Sequence, residues 1–566
     1  LVAEGEGGGM SFSSRAWNPG VDRNNTRLGN PQPIQVPVTP RNPVNVVETS
    51  VNNDTPSTAQ TVSGVGTLAG QNSQVTISGT VSTFTDTDWF RVHLRAGDIV
   101  SVRALAAANE LALFNSDGIE LQGHNQTNMA RGDHTLFWPT ASPLLRGGNA
   151  NLAYVITEEG DYFLYVSAAD NVTTTGGSAY QVEIDLHRPV LESQPVGSRQ
   201  IVYLDFNGAL IQRAIFDDTA IGTARLSPLV DFLPYWGLDS QNEDQVIDAI
   251  IETFEEKFRE VGLLGSNGDF DSTGRAGDFG IEVLNSRDNP DPWGQPNVSR
   301  IIIGGTNAEI GLSFDTIGLA QSVDVGNFET EESAFVLLDD LSALGAGLIN
   351  QIFRHGSLSQ IDLVGAAVGA IAAHEAGHLF GLNHQDNGNT VLTLMDQGST
   401  LENLLGVGID LIYGTEDDDK ISFSTDHFQL PFGLAPAASA ESFTGELDAL
   451  NTLSYVLSTG RTGGNVTGIN FADVNGNGRR DSNESGLPGF TVFADLNSNG
   501  LLDAGEPKTT TASDGTYSLA VGTGTVTIAQ VDETGYRQTA PASGEHLITV
   551  SANQSVTNIN FGNQAI

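Results

Sequence analysis

Short runs of alternating apolar and polar residues fill positions 49–190. They include Gln74-Val-Thr-Ile-Ser-Gly-Thr-Val81, Trp89-Phe-Arg-Val-His-Leu94, Tyr162-Phe-Leu-Tyr-Val166 and Tyr180-Gln-Val-Glu-Ile184. A period of two places alternate side chains on one face, so each run predicts a half-buried strand. Gly, Asn and Asp punctuate the gaps, and strands repeated at this spacing predict a β-sandwich. After residue 198 the period changes. Ile201-Val-Tyr-Leu-Asp-Phe206 reads as an opening strand, and Val246, Ile247, Ile250, Ile251, Phe254 and Phe258 then recur at helical spacing. Charged neighbours (Asp248, Glu252, Glu255, Glu256, Lys257) make this an amphipathic helix. Strands at 279–284 and 300–303, an apolar run at 334–338 and a second helix over 362–380 complete an α/β or α+β region, 198–455. Residues 466–566 return to β patterning. Residues 1–48 read as an extended tail, with five prolines between Asn30 and Asn45. The expected fold class is therefore multidomain α+β, with a central domain flanked by all-β sandwiches.

Composition narrows the function. A chain of 566 residues is too long for one hydrophobic core. With 25 Lys+Arg against 69 Asp+Glu the net charge is −44, which repels phosphate backbones and argues against nucleic-acid partners. The absence of cysteine excludes disulfides, thiolate metal sites and a catalytic Cys. No run of 18 apolar residues predicts a membrane span. The chain starts at Leu1 without a basic-plus-apolar leader, which reads as a mature chain and leads to an expected location outside the cell or on its surface.

The chemistry concentrates in His374-Glu-Ala-Gly-His378-Leu-Phe-Gly381-Leu-Asn-His384. Two histidines four residues apart on a helix point the same way, and neutral imidazoles at that spacing bind one Zn2+. Glu375 lies one step round the helix, placed to take a proton from zinc-bound water as general base. Gly381 allows the left-handed turn that ends the helix and brings His384 back as third ligand. Three protein ligands leave a fourth position open, the mark of catalytic zinc.

This string resembles the metzincin clan of zinc peptidases. Thr393-Leu-Met395-Asp396 follows, with Met395 11 residues beyond His384. Its position is similar to that of the methionine turn beneath the metal in that clan. The resemblance implies a zinc endopeptidase acting on protein or peptide substrates, with Met395 and Gly381 in structural roles. Metzincins bind substrate as an added strand at a sheet edge, and Gly318-Leu-Ala-Gln-Ser-Val323 is the candidate edge. Gln385 and Gln397 depart from the best-known subfamilies, and Gln397 removes the tyrosine ligand that two of them carry. Upstream, Thr85-Asp-Thr-Asp-Trp-Phe90, Ala96-Gly-Asp98 and Gly160-Asp-Tyr162 resemble the bacterial pre-peptidase C-terminal domain, a β-sandwich attached to secreted peptidases.

Two acidic loops follow. In the first, Asp473, Asn475, Asn477, Arg479, Asp481 and Glu484 fill positions 1, 3, 5, 7, 9 and 12 of a calcium loop, with Gly478 at position 6. Asp495, Asn497, Asn499, Leu501, Asp503 and Glu506 repeat the pattern 22 residues later around Gly500. Arg479 and Leu501 would each offer a backbone carbonyl. The flanks read as strand, and with Gly486-Leu-Pro-Gly489 and Asp514-Gly-Thr-Tyr-Ser518 the region resembles the B-type domains of serine-aspartate-repeat adhesins, where calcium stiffens stalk-like modules. Glu416 to Asp419 is a weaker acidic candidate. The expected cofactors are thus zinc and calcium, and the expected activity is peptide-bond hydrolysis. The alternative is a calcium-stiffened surface or adhesive protein that self-assembles through the N-terminal tail, its peptidase domain latent or self-processing.

Overall fold

The computed structural model describes residues 43–49, 53–67, 71–81, 86–106, 108, 110–125, 137–168, 178–193, 199–217, 220–262, 281–343, 347–396, 400–429, 443–458, 463–495, 500–502, 507–522, 524–550 and 554–566. The protein is mostly β, with several sheets and few helices. Among the described residues no helix is long and apolar enough to cross a membrane. The chain divides into two compact units. One comprises Leu1–Val190, Val202–Leu264 and Val283–Val456; the other comprises Leu191–Ile201, Gly265–Glu282 and Leu457–Ile566.

In the first unit, the N-terminal part forms two sheets. One has the order Val44–Val47, Gln74–Val81, Ser178–His187, Ile99–Ala106, Ala150–Val155. The other runs Gln60–Thr61, Thr87–Leu94, Gly160–Ser167, Glu110–Phe114, Glu120–Asn125, Phe443–Thr444. Alternation does what the sequence predicts: Val75, Ile77 and Val81 are buried from one sheet, and Phe90, Val92 and Leu94 from the other. Two pairings lie beyond local pattern. Val44–Val47, at the end of the stretch read as tail, pairs in parallel with Val75–Ser78. Phe443–Thr444, from more than 300 residues downstream, pairs antiparallel with Gly123–His124. Residues 1–42 lie outside the described residues.

A third sheet has the order Ile281–Asn285, Gln200–Asp205, Val298–Ile303, Ser333–Val336, Gly318–Ala320. Ser333–Val336 runs parallel to Arg300–Ile303, and Gly318–Ala320 is an antiparallel outer strand. Buried apolar runs such as Ile301-Ile-Ile303 suit a sheet covered on both faces. Two 20-residue helices, Glu243–Gly262 and Gln360–Leu379, pack against each other. Gly365 and Gly369 let the backbones close in: a Cβ at Gly365 would sit 2.4 Å from Ala249 Cβ, and one at Gly369 2.7 Å from Ile250 O. The second helix is buried from Leu363 onward apart from Ala366, as its all-round apolar sequence predicts.

The second unit has a sheet in the order Thr516–Gly522, Gly463–Ala472, Phe561–Ala565, Tyr536–Ala540. Its other sheet has the order Lys508–Thr510, Thr491–Asp495, Gly524–Gln530, His546–Val550. Val466, Val492, Leu519, Ile528 and Phe561 share its core. Three buried amides close a ring: Asn470 Nδ2 donates to Gln530 Oε1 (2.9 Å), Gln530 Nε2 to Asn563 Oδ1 (2.8 Å) and Asn563 Nδ2 to Asn470 Oδ1 (2.7 Å).

Candidate metal centre

Ser359 starts the site helix. Its hydroxyl accepts from Asp362 N (3.1 Å), and the Asp362 carboxylate accepts from Ser359 N (2.7 Å), a reciprocal cap. Fifteen residues on, His374 and His378 lie on one face. The helix then ends in a Schellman turn: Leu382 N donates to Gly377 O (2.9 Å) and Gly381 N to His378 O (2.9 Å). Gly381 adopts φ 93°, and a Cβ there would strike Val325 Cα at 2.5 Å. The chain leaves toward His384, whose carbonyl accepts from Gln429 N (3.0 Å).

The three imidazoles meet. His378 Nε2 is 3.2 Å from His374 Nε2 and 3.2 Å from His384 Nε2. His374 Nδ1 is 2.6 Å from Leu394 O, and His378 Nδ1 is 2.7 Å from Leu382 O. A carbonyl only accepts, so both Nδ1 atoms carry the proton and both Nε2 atoms present lone pairs. Lone pairs facing at 3.2 Å repel unless a cation lies among them. Two nitrogens bound about 2.0–2.1 Å from a tetrahedral zinc stand roughly 3.3 Å apart, so the residues present fit that ion. All three rings are fully buried. Burial, then the neighbouring rings of His378 and His384, hold the His374 pKa well below the ordinary histidine value, against the opposing bond to Leu394 O.

Glu375 is fully buried beside them. Desolvation drives its carboxyl well above the ordinary range, and the backbone N–H of Ala320 opposes that rise. Neither carboxylate oxygen completes a well-formed hydrogen bond among the described residues. The outer strand forms its wall: a Cβ at Gly318 would lie 2.2 Å from Glu375 Oε1. Met395 is buried under the helix, its sulfur 2.7 Å from where a Cβ at Gly377 would be. Its turn is tied by Thr393 Oγ1 to Asp396 Oδ1 (2.7 Å) and by Gln385 N to Met395 O (2.8 Å). Gln385 Nε2 donates to Ser424 O (2.9 Å) and Leu447 O (2.8 Å). Gln397 lies outside the described residues. Sequence reasoning missed the carbonyls of Leu382 and Leu394 that fix the tautomers, because a backbone group leaves no residue-type signal.

The first acidic loop curls around its own acids. Gly478 N donates to Asp473 Oδ2 (2.7 Å), Asn477 N to Asp473 Oδ1 (3.1 Å), Val474 N to Glu484 Oε1 (2.9 Å) and Asp481 N to Glu484 Oε2 (2.8 Å). Asn475 Nδ2 and Asn477 Nδ2 both donate to Asp481 Oδ2 (2.7 and 3.0 Å). Arg479 N donates to Asn477 Oδ1 (2.7 Å). The carboxylates of Asp473, Asp481 and Glu484 do not gather within 4.8 Å of one another as the histidines do. In the second loop Gly500 N donates to Asp495 Oδ2 (2.7 Å), the same bond between positions 6 and 1. Asn497, Asn499, Asp503 and Glu506 lie outside the described residues, and the Leu501 side chain is exposed. Asp417 and Asp418 meet Asp410 in a surface loop, where they accept bonds from nearby backbone N–H groups such as Gly408 N and Asp410 N.

No family model and no curated protein matches this chain. Parts of it are similar to solved structures. The g-type lysozyme inhibitor PliG of Aeromonas hydrophila matches at 12% identity over 25% of this chain and 100% of its own, with a TM-score of 0.15. The pre-peptidase C-terminal domain of Bacillus anthracis collagenase matches at 18% identity over 22% of this chain and 94% of its own, with a TM-score of 0.12. The Bacillus anthracis TIE protein matches at 9% identity over 82% of this chain and 68% of its own, with a TM-score of 0.14.

Proposed function

We propose that this chain is a secreted or cell-surface zinc endopeptidase of the metzincin type. One observation carries the reading: three buried Nε2 atoms converge at 3.2 Å, two of them with Nδ1 tied to a carbonyl. His374, His378 and His384 would hold the ion, which when bound supplies a Lewis acid that polarises a carbonyl and acidifies water. Glu375 acts as general base. It would take a proton from the attacking water and pass it to the leaving amine. Gly318–Ala320, an outer strand touching Glu375, suits an extended peptide added as a further strand. Calcium at Asp473–Glu484 and in the second loop would brace the C-terminal unit.

A second reading is favoured by one observation. His374, Glu375, His378, His384 and the whole outer strand are buried. That suits a latent or self-processing peptidase carried by a calcium-stiffened surface protein that assembles through residues 1–48. Hydrolysis of an unfolded protein by the wild type and by Glu375→Ala, both loaded with zinc and calcium, separates the two. Cleavage by the wild type alone supports the peptidase. No cleavage by either, with zinc bound, favours the latent form. Hydrolysis that persists after zinc removal sinks the first reading.

A further inference from the structure

The loop after the outer strand is held from both sides. Val323 N donates to Phe137 O of the N-terminal sandwich (2.9 Å), and the next amide, Asp324 N, donates to His378 O (3.1 Å). Adjacent amides of one loop thus bind the β-sandwich and the helix turn that bears a candidate ligand. Gly326, at φ 98°, lies against the sandwich: a Cβ there would be 2.6 Å from Ile99 Cδ1. The Phe328 ring meets His187 edge-on, with centroids 5.7 Å apart. Opposite, Gly381 presses on the loop, its Cβ position 2.7 Å from Asp324 O. The Asp324 carboxylate is fully buried and accepts from Glu329 N (2.7 Å), while Asn327 N closes onto Asp324 O (2.8 Å). Burial raises that carboxyl to about 7, the N–H groups of Glu329 and Phe328 oppose the rise, and the guanidinium of Arg146 on the sandwich opposes it more weakly. That guanidinium also donates to the carbonyls of Trp138 (3.1 Å) and Pro139, which continue the strip from Phe137.

We infer that the N-terminal β-sandwich is a working part of the metal centre: it braces His378 through the loop Val323–Phe328, and Arg146 is a positioning residue for that brace. The inference rests on the zinc reading of the three histidines. The physical reason is short. A metal ligand needs its turn held to a fraction of an ångström, and partners one shell out typically change affinity 10–100-fold. The Schellman turn fixes Gly377–Leu382 from within the helix. The loop fixes it from outside, and the sandwich meets the loop's far side at Val323, Gly326 and Phe328. The N-terminal part is then a required portion of the site, where a detachable accessory domain would leave the metal unaffected.

The test uses the full chain with the metal alone. Zinc affinity is measured by competition with a chromogenic chelator, and the cobalt-substituted protein is read by its d–d absorption, which reports ligand geometry without hydrolysis. Arg146→Met is expected to weaken zinc about tenfold or more and to alter the cobalt spectrum, with far-UV circular dichroism unchanged. Arg146→Lys keeps the charge and restores most of both. Should Arg146→Met fail to fold, Phe328→Leu, which keeps apolar volume and loses the ring contact with His187, is read the same way. A wild-type cobalt site with unchanged affinity and spectrum in the folded variants overturns the inference and leaves the zinc reading standing. A wild type that binds neither metal overturns both.

Discussion

Glu375 occupies a slot that only a glycine at position 318 leaves open, since a Cβ there would overlap Oε1 at 2.2 Å. Gly318→Ala forces the carboxylate aside without touching a histidine. Hydrolysis is expected to fall at least tenfold, as for loss of a positioned general base, while bound zinc, measured by atomic absorption, stays at the wild-type level. Protons act on the same site from the other side. The His374 imidazole is held well below its ordinary value by burial and its neighbours. Folded protein therefore binds fewer protons than unfolded chain below about pH 6.5, and metal-free stability drops as pH falls through that range. Zinc must leave as the rings protonate, so a pH titration of bound zinc should lose the ion on the acid side. Asp88 has the opposite sign. Burial, countered by Tyr180 and reinforced by Glu48 and Asp86, raises its carboxyl to about 7. The folded state then holds the proton more tightly than the unfolded state, and stability is lost as pH rises from about 4 through 7. Asp88→Asn in EDTA should raise stability at pH 8 by on the order of 1 kcal/mol and by much less at pH 5. Equal gains at both pH values would refute the assignment. The cluster of three histidines was legible because HExxHxxGxxH couples residue type to helical spacing. Gly318 and Asp88 were not, because their roles come from what elements distant in the chain bring beside them.

Periodicity foretold the long elements closely. The helix read from Val246 to Phe258 spans Glu243–Gly262, and the one read over 362–380 spans Gln360–Leu379. What periodicity left out is how near these two helices lie. Gly365 and Gly369 contact Ala249, Ile250 and Thr253 at distances that exclude a side chain. Gly365→Val should cost about 1–3 kcal/mol through overpacking, despite valine's better helix propensity than glycine. Chemical denaturation reads the cost, and an unchanged midpoint would mean that the helices slide apart freely. Short elements were not legible. Val44–Val47 lies just past a proline-rich stretch, and Phe443–Thr444 has two residues and no period to read. The helix Ala449–Val456 went unread at the end of the 198–455 region, since eight residues span little more than two turns.

At the scale of the molecule, the two units separate the two proposed metals. The histidines belong to the first unit and both acidic loops to the second. A ligand stabilises the fold that binds it by RT ln(1 + [L]/Kd), about 2.7 kcal/mol at 100 times Kd. Calorimetry of the full chain should therefore show zinc raising one transition and calcium raising the other. Glu484→Gln tests the assignment. It keeps one acceptor oxygen where Glu484 uses two, one for Val474 N and one for Asp481 N, and it removes a charge, so the calcium-dependent shift should shrink while the zinc-dependent shift is untouched. The first loop already satisfies its own acids with backbone and amide N–H groups. Calcium must displace the Asn475 and Asn477 amide hydrogens from Asp481 and turn their oxygens inward. Binding should therefore change the side-chain amide resonances of those two residues. If calcium raised the zinc-sensitive transition instead, the acidic loops would be turns held by their own hydrogen bonds, and the calcium reading of the second unit would fall.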